Sequence, residues 1–156
     1  IKYSNGTMDL SPSLFKTKNG DDAKFRQEGV KLLDAVRNSM DALSFDEALR
    51  AIWSFVRASN RYLDSTSPWK VAKDPSQNQR LKEILTHSLE ALRLIALSVA
   101  PVMPHSAQII WQRLGIERKL GSLTYNAEWQ WGDTREPSRK VISGEPLFPR
   151  IEEARE

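Results

Sequence analysis

The sequence contains no cysteine. That absence excludes disulfides, thiolate zinc sites and cysteine nucleophiles, and it fits a reducing compartment. Histidine is almost as scarce: His87 and His105 are the whole supply, too few for a His-rich metal site. Glycine is sparse, and no glycine-rich cradle of the P-loop or dinucleotide type occurs, so no nucleotide cofactor is expected in this stretch. No apolar run approaches the ~20 residues that span a bilayer, so no membrane partner is expected, and the first residues lack a signal-type apolar segment. The chain opens on Ile1 and first reaches methionine at Met8, which raises the expectation of a piece of a longer polypeptide.

What is present is the makings of a folded helical domain. The 156 residues are 40% hydrophobic and 28% charged, a balance that buries a core and argues against bulk disorder. The net charge of +3 permits a nucleic-acid partner without requiring one. Residues 1–20 read as a loosely structured leader, with turn dipeptides Asn5-Gly6 and Asn19-Gly20 around the Ser11-Pro12-Ser13 break. From Asp21, Phe25, Leu32, Leu33, Val36, Met40 and Leu43 recur at helical steps and predict a first helix. Ser44-Phe45-Asp46-Glu47 has the form of a capping box, opening a second helix with Phe45, Leu49, Ile52, Val56 and Leu63 on its apolar face and an end before Pro68. A third helix is expected over Pro75–Ala100, with Leu81, Ile84, Leu85, Leu89, Leu92, Ile95, Ala96 and Val99 inward. A short fourth starts at Pro104 and closes at Gly115. The reading is all-α: an antiparallel helical bundle over 21–115 with an irregular C-terminal arm over 116–156, in which Leu147-Phe148-Pro149-Arg150-Ile151 is expected to fold back on the bundle.

Catalytic chemistry is thin. Adjacent carboxylates such as Asp21-Asp22 and Glu152-Glu153 read as solvated surface, and His87 as a surface or half-buried structural histidine. No catalytic residue is expected. One pattern stands apart. Trp53, Arg57, Asn60 and Asp64 succeed each other on the second helix at steps of four, three and four, and Trp69, Lys70 and Lys73 come just beyond its end. An aromatic face, an amide, a carboxylate and cations are what unpaired bases and phosphates require. The competing reading is that the tryptophans seal the core and the charges form a routine solvated pair.

The segment Asn60-Arg61-Tyr62-Leu63-Asp64-Ser65-Thr66-Ser67-Pro68-Trp69 resembles the N-x-Y-(aliphatic)-D-x-x-x-P-W segment in the anticodon-binding domain of bacterial-type methionyl-tRNA synthetases. Its surroundings are similar in order: Ala51-Ile52-Trp53 before it, Lys70-Val71-Ala72-Lys73 after it, then Ala100-Pro101-Val102-Met103-Pro104, Ile110-Trp111-Gln112-Arg113-Leu114-Gly115 and Pro146-Leu147-Phe148-Pro149-Arg150-Ile151. The proline-bounded joint is shared more widely among class I synthetases. The resemblance implies that Trp69 stacks on the first anticodon base, a cytosine, that Asn60 and Asp64 line the same face with Arg57 beside them, and that Lys70 and Lys73 meet phosphates. Asp64 would act chiefly by repelling wrong tRNAs. The implied partners are a methionine-accepting tRNA and the catalytic domain of a cytoplasmic parent ligase, which uses ATP and methionine.

The catalytic motifs of that family are absent from this sequence. So is its preceding helix, whose asparagine and arginine contact the same cytosine; Lys2-Tyr3-Ser4-Asn5-Gly6 resembles the stretch immediately after that helix. Two rivals stand beside this reading: the homologous domain of a leucyl-, isoleucyl-, valyl- or cysteinyl-type synthetase, and a helical protein-interaction module with no RNA ligand. A preference for CAU stem-loops separates the first, and failure to bind any stem-loop favours the second.

Overall fold

The computed structural model describes residues 6–16, 19–122, 128–132, 136 and 138–149. In chain order it forms strand β1 (Thr7–Asp9), a 3-10 turn (Pro12–Phe15), helices α1 (Gly20–Asp41), α2 (Phe45–Thr66) and α3 (Pro68–Val71), a 3-10 turn (Pro75–Gln77), helices α4 (Asn78–Val99) and α5 (Pro104–Arg113), a 3-10 turn (Leu120–Ser122) and strand β2 (Ser138–Lys140). The fold is all-α, with one two-stranded ribbon.

Local chemistry sets most boundaries. The Asn19 side chain accepts the Asp21 N–H at 2.9 Å and caps α1. Pro104 occupies the first turn of α5, where its missing N–H is harmless. Beyond that helix Gly115 takes φ +68, and a Cβ there would lie 2.3 Å from the Lys140 carbonyl oxygen. The capping box before α2 is not formed, however. Ser44 makes no side-chain cap bond, and its N–H, which the reciprocal half of the box requires, donates instead to the Ser39 carbonyl at 2.8 Å.

The predicted inner face of α2 also needs correction. Ala48, Ile52, Phe55, Ala58 and Tyr62 are buried; Leu49, Val56 and Leu63 are half-buried, and Phe45 is exposed. The buried face is centred on Ile52, Phe55 and Tyr62, with the small Ala48 and Ala58 between them, and the predicted stripe is rotated away from it. On α4, Leu92 is exposed whereas His87, Glu90 and Arg93 are buried. Sealed on nearly all sides, that helix carries Ile84, Ala91, Leu94 and Ala96 through the centre of the core. His87 is therefore neither surface nor half-buried. Its Nδ1 lies 2.8 Å from the Glu83 carbonyl, and its ring sits among Phe15, Tyr62 and Trp131.

Described segments on both sides of the bundle close onto it. Strand β1 pairs antiparallel with β2, Met8 facing Arg139, and Met8, Leu10, Leu14 and Phe15 are buried. Within the arm, Trp129 donates its indole N–H to the Leu33 carbonyl at 2.8 Å. Trp131 lies over Gly29, where a Cβ would meet its ring at 2.3 Å. Of the segment expected to fold back, Leu147 is half-buried and Phe148 exposed, while Arg150 and Ile151 lie outside the described residues.

Candidate nucleic-acid interface

The site is built on the last three turns of α2. Within Asn60-Arg61-Tyr62-Leu63-Asp64, the helical period sends Tyr62 inward and leaves Asn60 and Asp64 exposed. Tyr62 stacks on Phe25, centroids 4.2 Å apart, and its hydroxyl donates to Asp22 Oδ1 at 2.8 Å. The same carboxylate receives both terminal nitrogens of Arg80, one of them at 2.8 Å. Asp22 is fully buried, so its reading as solvated surface is wrong, although Asp21 beside it is exposed. Burial alone would raise the Asp22 pKa, but the Arg80 and Tyr62 bonds outweigh it and hold the carboxyl below its ordinary range. Burial, then the bond to Asp22, pushes the Tyr62 pKa up. This triad ties the start of α1, the end of α2 and the start of α4 together directly beneath the motif.

The run Ser65-Thr66-Ser67-Pro68 then turns the chain. Ser65 and Thr66 donate their hydroxyls to the Tyr62 carbonyl, and Ser67 donates to that of Asp64. The Ser67 bond satisfies an acceptor that the ending helix leaves open, and the other two add second donors to a carbonyl still within the helix. Ser67 sits in the left-handed region at φ 44, ψ 60, and Pro68, buried, starts α3. Trp69 is thereby carried to the surface one residue past the break. Ser67→Val is expected to destabilise the chain by about 1–3 kcal/mol, because a β-branched residue tolerates this backbone poorly. Ser67→Gly should stay near wild type in the same urea titration.

The five tryptophans fall into two sets. Trp111, Trp129 and Trp131 belong to the core, whereas Trp53 and Trp69 are 44% and 45% exposed. Arg57, Asn60, Asp64, Lys70 and Lys73 are all exposed, and none of their side chains has an ion-pair or hydrogen-bond partner among the described residues. All seven side chains face solvent, four of them along one stripe of α2 and three just beyond its end. Asp74 anchors the loop after Lys73 by accepting from Ser76 Oγ at 2.7 Å and Gln77 Nε2 at 2.9 Å, bonds that lower its pKa. No metal-binding group occurs among the described residues, and none of their helices is long and apolar enough to cross a membrane. Sequence reasoning missed Asp22, Tyr62 and Arg80 as the support of this edge. Only the tyrosine inside the motif hinted at it.

The fold is thus a helical bundle with unpaired aromatic and polar side chains on the surface beside a helix break. The family model described as "Anticodon-binding domain of tRNA ligase" matches residues 22–153, and the chain belongs to that family. Its relatives there are methionine–tRNA ligases. Those of Fusobacterium nucleatum and Thermotoga maritima are each 34% identical over 151 residues, covering 97% of this chain. The chain spans 23% of the length of either one. The apo methionyl-tRNA synthetase of Mycobacterium tuberculosis superposes with a TM-score of 0.81 at 27% identity, covering 97% of this chain and 29% of its own.

Proposed function

We propose that this chain recognises the CAU anticodon of methionine tRNA as the non-catalytic domain of a methionine–tRNA ligase. The observation that carries the reading is the division of labour within the motif: Tyr62 and Pro68 are buried as support, while Asn60, Asp64 and Trp69 stand exposed. In this reading Trp69 stacks on the unstacked first base, Asn60 and Asp64 border it, and Arg57, Lys70 and Lys73 attract phosphates. ATP and methionine chemistry belongs to the catalytic part of a longer cytoplasmic enzyme.

The test is binding of stem-loops that differ only at the first anticodon position. A preference for cytosine there supports the reading. A preference for another synthetase's anticodon assigns the chain to that rival, and no binding by the complete parent assigns it to protein interaction. Two variants sharpen the result. Trp69→Ala should weaken cognate binding by about 1–3 kcal/mol. Asp64→Asn should lower the cognate to non-cognate ratio while leaving cognate affinity equal or higher, since removing a carboxylate relieves repulsion from any phosphate. An unchanged ratio across a salt series removes the repulsive role from Asp64.

A further inference from the structure

Trp53 stands on the same stripe of α2 as Arg57, Asn60 and Asp64, yet the contacts proposed for those three and Trp69 leave it without a role. Its indole is exposed, and it belongs neither to the core nor to the half-buried side chains packed against the core, which include its helix neighbours Leu49 and Val56. The indole N–H has no hydrogen-bond partner among the described residues, whereas Trp111 and Trp129 donate theirs to the Arg118 and Leu33 carbonyls. A tryptophan outside the core with a free N–H is not explained by the packing of this chain.

The chemistry of the stripe changes just before Trp53. A step of seven residues back is Asp46, exposed like Glu47 beside it, and the one cation there, Arg50, is engaged with Asp46 at 3.8 Å. Those carboxylates repel a phosphate backbone. A step of four forward is Arg57, exposed and without an ion-pair partner among the described residues, which attracts one. Trp53 is thus the last aromatic position on the stripe before it turns acidic.

We infer that Trp53 is a second stacking platform for RNA, taking an unpaired nucleotide of the same loop outside the anticodon triplet, with the Arg57 guanidinium on the phosphates between the two platforms. The inference rests on the anticodon-binding function proposed for this chain, in which Asn60 and Asp64 border the first anticodon base. Those two residues follow Trp53 by seven and eleven positions, about 10 and 16 Å along the helix axis. At about 3.4 Å per nucleotide of a stacked strand, that is about three to five nucleotides. Such a count leaves the triplet in either direction from its first base. Every base offers an aromatic face, so a stack on Trp53 tolerates any sequence. Trp53 therefore sets affinity for the loop, while Trp69, Asn60 and Asp64 set the choice of anticodon.

The test titrates the full-length parent against cognate stem-loops in which each loop nucleotide outside the triplet is made abasic in turn. Trp53→Ala should weaken binding of the intact stem-loop about tenfold, and Trp53→Phe less. The preference for cytosine at the first anticodon position should hold at wild type. One abasic position should cost the wild type the same factor and Trp53→Ala almost nothing, and that coupling marks the stacked nucleotide. Unchanged binding by Trp53→Ala overturns the proposal. So does a loss of equal size on every abasic stem-loop, or a shifted cytosine preference, which would place Trp53 at the triplet itself. A loss that comes with a lower melting temperature of the RNA-free parent also overturns it, because the indole then belongs to the protein's own packing. Failure of the anticodon reading would show instead in the wild type, as no preference for cytosine at the first position, and would leave the abasic coupling measurable.

Discussion

Replacing Arg93 by methionine is expected to destabilise the chain by about 3–5 kcal/mol, the range for removing one partner of a buried ion pair. Arg93 is fully buried on α4 and donates to both oxygens of Glu90, Nε at 2.9 Å and one terminal nitrogen at 2.7 Å. It also reaches the C-terminal arm, donating to the Glu128 carbonyl at 3.0 Å and the Gln130 carbonyl at 2.6 Å. Glu90 completes the clasp by accepting the Gly132 N–H at 2.8 Å. Methionine keeps the length of the side chain but leaves a carboxylate and two carbonyls without this donor. Residues 128–132 should accordingly lose hydrogen-exchange protection before the helices do. Adding Glu90→Leu should recover part of the loss, because it removes the stranded carboxylate. Additive effects in urea denaturation would show that the pair does not act as a unit.

Asp22→Ala is expected to be comparably severe, at about 3 kcal/mol near neutral pH, because it leaves the Tyr62 hydroxyl and the Arg80 guanidinium without their acceptor. The effect should depend on pH in a defined direction. The Asp22 carboxyl has a lowered pKa in the folded chain. A lowered folded pKa contributes stability that is fully present above the ordinary carboxylate value and is lost as pH falls through the folded value. The gap between wild type and variant should therefore be widest at neutral pH and shrink below about pH 4. A gap that is constant down to about pH 2 would mean that charge contributes little to this triad. Because Tyr62 lies between Asn60 and Asp64, the same variant should also blur RNA discrimination at temperatures where the chain is still folded.

The helices were legible because their apolar residues recur at helical steps and their ends carry proline, glycine and asparagine signals. Local pattern could not choose the phase of α2. Phe45, Leu49 and Val56 offer one apolar stripe and Ile52, Phe55 and Tyr62 another, and the second faces the core while Leu49 and Val56 flank it. Nor could it reveal polar groups whose partners are distant. Asp22 meets Arg80 across 58 positions and so read as a surface charge, and Arg93 meets Glu128 and Gln130 across 35 and 37, contacts that no local pattern announces. The ribbon of β1 and β2 pairs segments about 130 positions apart in sequence and left no trace in a leader full of turn residues. The candidate interface fared better. Exposed residues of a short motif alternate with a buried tyrosine and proline at helical spacing, and that alternation is itself a sequence property. What the sequence left open was which tryptophans belong to the core. The structure assigns three there and leaves Trp53 and Trp69 exposed at the surface.

The central claim is that Trp69 reads the first anticodon base, and a double-mutant cycle tests it most directly. Wild type and Trp69→Ala are titrated, in the full-length parent, against stem-loops carrying cytosine or another base at that position. A specific stack predicts that Trp69→Ala weakens binding of the cytosine RNA by about 1–3 kcal/mol and of the altered RNA far less, giving a coupling of about 1 kcal/mol or more. Equal losses on both RNAs together with a lower melting temperature would contradict the account and return Trp69 to a structural role.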